Sequence, residues 1–232
     1  DKVANVTLIA AALTFIFLSF KGYYRWVGPA QEPRPAVTPE PPEAVEGLTL
    51  TDLDGVATAS SGTPEVALVE FSDFQCPYCS RHARSILPQI RRDFVDTGKL
   101  EYAFVNLPLG DLHPLAYRAS EAVECARRQG RFWAMHDRLF EEPPALAEQD
   151  LLEHARALGL DSAEFRVCLG GEARATLEAQ AAMAQRAGVA STPSFLIGRI
   201  EAPGSLRVLY RLQGTRPYPM LVSVLEDVLA SD

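Results

Sequence analysis

Basic charge is in short supply in this sequence. Lys and Arg number 22 against 30 Asp and Glu, giving a net charge of −8 and a pI of about 5.1. An acidic surface excludes nucleic acid as a principal partner, since phosphate binding needs a basic face. No internal repeat and no Gly-rich phosphate loop is present, so neither a repeat array nor a nucleotide cradle is expected. Cysteine is sparse as well, with four residues at Cys76, Cys79, Cys125 and Cys168. The first two form a C-x-x-C pair, and no second pair follows at zinc-site spacing. His82 is the one histidine nearby, so no metal is expected. A close pair plus a distant pair of cysteines suits an oxidising compartment. What remains is ordinary globular composition, 47% hydrophobic and 22% charged, in 232 residues. That supports one substantial domain with an appendage.

Residues Val3 to Phe20 are apolar and uncharged, at the lower limit for spanning a bilayer, and Tyr23, Tyr24 and Trp26 follow with Lys21 and Arg25 among them. Residues 1–27 are therefore read as a membrane anchor rather than a cleaved signal peptide, because aromatics stand where small residues should precede a cleavage site. The cations lie mostly on the C-terminal side of the span, which by charge alone places the main domain in the cytoplasm. The cysteine chemistry points to the opposite side. Residues 28–47 are rich in Pro, Glu and Ala and read as an extended spacer.

A single domain is expected over residues 48–232. Val66 to Phe71 reads as a buried central strand, followed by a helix from the Cys76-Pro77-Tyr78-Cys79 motif to about Thr97, kinked at Pro88 and stopped at Gly98. Leu100 to Asn106 reads as a parallel partner strand. Helical spacing then runs over about residues 112–188, interrupted at Gly130, Pro143, Pro144, Gly159 and Gly170-Gly171. Ser194 to Ile200 and Leu206 to Leu212 read as a hairpin around Pro203 and Gly204, with a last helix from about Tyr218 to Ala230. The order is βαβ, helical insert, ββα.

The chemistry concentrates at the strand-to-helix junction. Cys76 at the helix N-cap places its sulfur before unpaired backbone N–H groups and the positive end of the dipole, which favour a thiolate. Pro77 at the first helical position costs no hydrogen bond. Two intervening residues, Pro77 and Tyr78, bring Cys79 round to face Cys76 as the resolving thiol. Glu70, six residues earlier inside an apolar strand, is expected to be buried, raised in pKa and able to exchange a proton with Cys79. Thr192-Pro193 opens the third strand, and a cis bond there would free the preceding backbone for an extended substrate peptide. His113, His136 and His154 fall on predicted helices and are read as surface or cap residues, whereas Phe132 and Trp133 are read as core.

FSDFQCPYC, the Glu six residues before the first Cys, STPSF before a strand, and ECARRQGRFWAMHDRLF in the helical stretch together resemble the DsbA-like thioredoxin-fold family, over about Leu48 to Ala230. The resemblance implies an α/β thioredoxin fold with an inserted helical domain. It implies that Cys76 attacks, that Cys79 resolves, that Glu70 fills the buried acidic position and that Thr192-Pro193 is the cis-proline loop. It also implies a structural disulfide between Cys125 and Cys168, against the alternative of two buried free cysteines. The C-terminal hairpin departs from the pattern, with GRIEAPGSLRV where a short Asn-Gly turn is usual. The expected activity is thiol:disulfide exchange that forms disulfides in reduced or unfolded exported proteins, with no cofactor beyond the Cys76–Cys79 pair. A DsbB- or VKOR-type membrane protein is the expected reoxidase. The expected state is a monomer anchored in the cell membrane by one span, with the domain on the periplasmic side. Thr before the proline is more common in reductase and isomerase relatives, which keeps those directions open beside a redox-inert peptide-binding module.

Overall fold

The computed structural model describes residues 41–141 and 145–231. The expected anchor, most of the spacer, and Pro143 and Pro144 lie outside the described residues. Among the described residues no helix is long and apolar enough to cross a membrane.

Seven strands form one sheet: β1 (Glu43–Ala44), β2 (Thr49–Leu50), β3 (Ala57–Ala59), β4 (Val66–Ser72), β5 (Glu101–Asn106), β6 (Ser194–Ala202) and β7 (Ser205–Gln213). Their order is β1-β7-β6-β4-β5-β3, with β2 also on β7. β4 and β5 are parallel, joined by α1 (Pro77–Ser85), α2 (Leu87–Ile90) and a π-helical turn, Arg91–Val95. The other pairings are antiparallel. Between β5 and β6 lie α3 (Ala116–Arg128), α4 (Phe132–Glu141), α5 (Glu148–Ala157), α6 (Ser162–Val167) and α7 (Arg174–Arg186), and α8 (Tyr218–Ala230) ends the chain. This is a thioredoxin-like α/β fold with a helical insertion.

β4 is buried along its whole length, as a strand covered on both faces must be. Its alternation still sorts the two cores. Ala67, Val69 and Phe71 pack with Met183 and Ala184 of α7, whereas Val66 and Leu68 pack with Leu87 and Ile90 of α2 and Leu225 of α8. Glu70 has the parity of Val66 and Leu68 and so lies on the face that α1 and α2 cover. The insert forms a third cluster, in which Phe132, Met135, Leu139 and Phe140 meet Phe74, Phe104 and Cys79. A buried polar knot ties it to the sheet: the Asn106 and Gln180 amide groups both donate to Glu124, and the Asn106 backbone N–H donates to Gln180.

Several expectations need correction. The segment assigned to the spacer already contributes β1, which pairs at Glu43↔Arg211 and Ala44↔Tyr210, so the domain begins before residue 48. The helix expected to run to Thr97 is broken at Ile86 rather than merely bent. Pro88 lacks an N–H and its ring crowds the preceding turn, and the chain reaches Gly98 through a π-helical turn. The hairpin strands run to Ala202 and Ser205, closed by a two-residue Pro203-Gly204 turn with Gly204 at φ 70°. Gly198 sits at a register shift where a Cβ would meet the Arg207 carbonyl at 1.9 Å. His136 and His154 are buried, and His113 lies in the loop before α3. Burial is tolerated because each has a polar partner: Asp137 for His136, and Arg138 Nε and the Ala145 carbonyl for His154.

Cys125 of α3 and Cys168, just beyond α6, form a disulfide across 43 positions. Closing such a loop stabilises a fold by about 3–4 kcal/mol in the chain-entropy model. The double change Cys125→Ala and Cys168→Ala is expected to lower Tm by on the order of 10 °C and to leave the Cys76–Cys79 equilibrium unmoved. A calorimetric scan beside a redox titration reads both. An unchanged Tm would remove the bond's structural role.

Candidate active site

The chain turns from β4 into α1 through Asp73, Phe74 and Gln75. Asp73 is buried and fully engaged. Its carboxylate accepts from the Gln75 backbone N–H at 2.7 Å, the Leu109 N–H at 2.8 Å and His113 Nδ1 at 2.9 Å, and its carbonyl accepts from the Cys76 N–H at 3.1 Å. The Gln75 side chain accepts from the Leu115 N–H at 2.7 Å. These bonds fasten the loop of residues 107–115 against the turn that presents Cys76. Neither Asp73 nor Gln75 was singled out in the sequence, because their partners lie up to 40 positions away.

Cys76 caps α1 with extended φ/ψ, and Pro77 fills the first turn. Tyr78 is 56% exposed, Cys76 only 4%, and Cys79 fully buried. Both sulfurs are free thiols here. Cys76 Sγ lies 3.6 Å from the Thr192 carbonyl, close enough for the thiol form to donate to it. The Thr192-Pro193 bond is cis. The Gly214 N–H donates to the Pro193 carbonyl and the Thr215 hydroxyl donates to the Tyr78 carbonyl, so the loop after β7 closes the other side. The structure thus gathers Cys76, Pro77, Tyr78, Cys79, Thr192 and Pro193 at one end of the sheet, with Glu70 beneath them. Cys125 and Cys168 lie in the insert, bonded to each other, in the same apolar cluster that Cys76 and Cys79 border.

The two thiols are driven apart. Cys76 is lowered from its ordinary value of 9 to about 5, first because the Cys79 thiol donates to its sulfur. The Cys79 and Tyr78 backbone N–H groups and the Thr192 side chain add to this, against a cost of burial. The helix N-terminus therefore contributes, but the partner thiol contributes more than the N-cap position alone suggested. Cys79 is pushed well up, chiefly by burial, then by its bond to Cys76 and the charge of Glu70.

Glu70 is raised from 4.5 to about 7, and burial is the main cause. Its strand neighbours explain this: it sits between Phe104 on β5 and Phe195 on β6, so two aromatic residues stand where water would have to be. Opposing the shift are the Tyr102 hydroxyl, which donates to Oε2, the Ser72 hydroxyl, and the charge of Arg91. Ser72, two residues further along the same face, also favours the charged form of Cys79 and so lies beside both groups. Ser72, Tyr102 and Arg91 were missed in the sequence, and strand parity could have found Ser72. Among the described residues no group of three His, Cys, Asp or Glu side chains is placed to hold a metal.

Residues 60–206 match a family model described as Thioredoxin. Among solved structures the chain is similar to oxidised BdbD from Bacillus subtilis, with TM-score 0.64 and 23% identity over 82% of this chain and 100% of that one. It is also similar to α-DsbA1 from Wolbachia pipientis, with TM-score 0.63 and 19% identity over 75% and 90%. The catalytic domain of ScsC from Proteus mirabilis gives 0.60 and 20% over 76% and 90%. Among curated proteins it is 40% identical over 135 residues to Na(+)/H(+) antiporter NhaA 3 of Salinispora tropica, covering 57% of this chain and 20% of that protein. It is 35% identical over 164 residues to Na(+)/H(+) antiporter NhaA of Herminiimonas arsenicoxydans, covering 70% and 24%. The chain thus spans about a fifth to a quarter of the length of these curated relatives.

The lowered pKa of Cys76 carries a pH dependence with a definite sign. A thiol depressed in the folded state stabilises the reduced protein fully above its ordinary value near 9. That contribution shrinks as pH falls and is gone below about 5. The oxidised protein lacks the thiolate but keeps Glu70, and Cys79, pushed up, stays protonated over most of this window, so the difference in stability between the two forms reports chiefly Cys76. Denaturant titrations of both forms from pH 9 to pH 4 are expected to show the reduced form losing its advantage over that window. Thiolate absorbance should titrate with a midpoint near 5. A midpoint near 9 would refute the assignment of Cys76 as the thiolate.

Proposed function

The chain belongs to the thioredoxin family, and we propose that it is a DsbA-like thiol:disulfide oxidoreductase that donates the Cys76–Cys79 disulfide to exported proteins as they fold. The observation that carries this reading is the opposite displacement of the two thiols, Cys76 down to about 5 and Cys79 up. A stabilised thiolate favours the reduced pair, and a pair that prefers to be reduced is a strong oxidant.

In the proposed reaction a substrate thiolate attacks the Cys76 sulfur of the oxidised pair. The Cys76–Cys79 bond breaks, and Cys79 leaves with a proton from Glu70. That proton is needed because a thiol so disfavoured as an anion is a poor leaving group on its own. A second substrate thiolate then attacks the substrate sulfur of the mixed disulfide and releases Cys76 as a thiolate. The substrate dithiol has lost two electrons and two protons, and the enzyme pair has gained both electrons. Both substrate protons enter the solvent, Glu70 takes one up again after giving its own to Cys79, and the net release is one proton. A quinone-coupled membrane protein of the DsbB or VKOR type takes the two electrons and restores the disulfide. Thr192, whose carbonyl lies beside Cys76, is the proposed backbone contact for an extended substrate segment.

The proposal places the protein as a monomer on the periplasmic side of the cell membrane, anchored through residues 1–27, with no cofactor beyond the cysteine pair. Sodium–proton exchange, named for relatives of which this chain spans only a fraction, does not enter it. The second direction, reduction or isomerisation, draws support from Thr192 before the proline.

The redox potential decides between the two directions. Equilibration with glutathione is expected to give a value closer to about −120 mV than to about −270 mV, and a result near the lower figure would assign a reductase. Cys79→Ser should accumulate a mixed disulfide when its Cys76 thiolate is offered a disulfide such as oxidised glutathione, because no thiol remains to resolve it, and Cys76→Ser should lose turnover. Absence of mixed disulfide in Cys79→Ser, with the wild type active, would reverse the roles.

A further inference from the structure

Beneath the cysteines lies a hydrogen-bonded chain whose polarity is set while Glu70 is ionised. The Tyr102 hydroxyl donates to Glu70 Oε2, and His82 Nε2 lies 3.2 Å from the same hydroxyl oxygen. All three residues are fully buried. An ionised carboxylate accepts and never donates, so the single Tyr102 proton points at Glu70, and the Tyr102 oxygen must accept from His82 Nε2–H. That places the His82 proton on Nε2, consistent with Nδ1 having no hydrogen-bond partner. The His82 ring lies against Phe195, centroids 4.6 Å apart, and Phe195 is the residue paired with Glu70 across the sheet. Tyr102 is the diagonal neighbour of Glu70 on the same sheet face, since Leu68 pairs with Tyr102 and Glu70 with Phe104. Helix α1 thus supplies both the cysteines and, one turn further on, the histidine that orients the carboxylate's partner.

The carboxylate itself is used on one side only. Oε2 is occupied by Tyr102, whereas Oε1 is buried without a hydrogen-bond partner, and the Ser72 hydroxyl, near enough to favour the charged form, also has no hydrogen-bond partner. We propose that His82 and Tyr102 are positioning residues for the redox reaction, holding Glu70 so that Oε1 alone receives and returns the proton of Cys79. The inference rests on the proposed proton exchange between Glu70 and Cys79 and adds the device that directs it. Either protonation state of Glu70 is compatible with the same His82-to-Tyr102-to-Oε2 arrangement. The proton therefore moves at Oε1 without any rearrangement of the buried chain.

The surrounding charges agree with this division. His82 is held down to about 3, by burial and then by His136 on α4, so it stays neutral through the working range and acts as a donor rather than a charge. Tyr102 is raised well above its ordinary value by burial and by Glu70, so it keeps its proton. The groups that bear on Glu70 are Tyr102 from β5, Ser72 from its own strand, Arg91 from the π-helical turn, and Cys76 from α1. Cys79 of α1 feels its charge in turn. Phe195 of β6 contributes no charge. Among these, Tyr102 is the donor whose loss leaves Oε2 bare, and Tyr→Phe removes it without changing the shape of the ring.

The test is the pH dependence of resolution. Reduced protein is mixed with oxidised glutathione, and the rate at which Cys79 resolves the mixed disulfide is followed over pH 5 to 9 by rapid mixing. In parallel the Glu70 carboxyl is titrated by carbon-13 NMR in wild type, Tyr102→Phe and His82→Phe. Loss of the Tyr102 donor should shift both the carboxyl titration and the rate midpoint upward by about one pH unit. His82→Phe should shift them less, in the same direction. In the Glu70→Gln background, Tyr102→Phe should shift the rate profile no further. A carboxyl titration that stays in place in Tyr102→Phe would overturn the inference, as would an equal rate shift with and without Glu70. If Glu70→Gln alone leaves the profile unchanged, the proton exchange between Glu70 and Cys79 fails. The NMR titration then still reports whether Tyr102 and His82 set the state of Glu70.

Discussion

The exclusion of water from one carboxyl group governs this site. Glu70 stands in a strand buried along its whole length, between two phenylalanines on neighbouring strands, and cannot be solvated in its charged form. One phenol, one serine hydroxyl, and an arginine that also pairs with Asp137 and lies over Trp133 act against that deficit, and the charge of Cys76 adds to it. The compensation is incomplete, and the incompleteness brings the carboxyl into a range where it changes state near neutral pH. A better-satisfied carboxylate would stay charged at neutral pH.

The same economy of solvation separates the thiols. One helical turn separates Cys76 from Cys79, and both are sheltered from solvent, but Cys79 is the deeper of the two and burial costs its thiolate more. Their mutual hydrogen bond amplifies the difference, because a proton held by the buried sulfur is shared with the outer one. The turn that sets this geometry is not held by the helix alone. Asp73 gathers amides from its own turn and from the loop of residues 107–115, and Phe74 packs on Phe104 and Phe140, so sheet, helix and insert are all fastened within three residues of Cys76.

The element order, the strand-to-helix placement of the cysteines and the burial of Glu70 were legible in the sequence, because each follows from local pattern: an apolar run, a helix-opening proline, a fixed spacing. Tyr102, His82 and Arg91 were not. Their relation to Glu70 depends on strand register and on which face of α1 turns inward, neither of which local pattern determines. Residue type places His136 and His154 at the surface or at helix caps, but neighbouring polar groups make their burial tolerable. The strand at Glu43–Ala44 was hidden by the composition of the Pro-rich segment around it, since two residues carry no periodicity.

That short strand has a consequence beyond domain length. A long bare edge on a sheet recruits other strands. Here one flank of the sheet ends in the two-residue pieces at Glu43–Ala44 and Thr49–Leu50, and the other in the three residues Ala57–Ala59. Each flank offers too little ladder to template a foreign strand, so the sheet resists sideways growth at both borders.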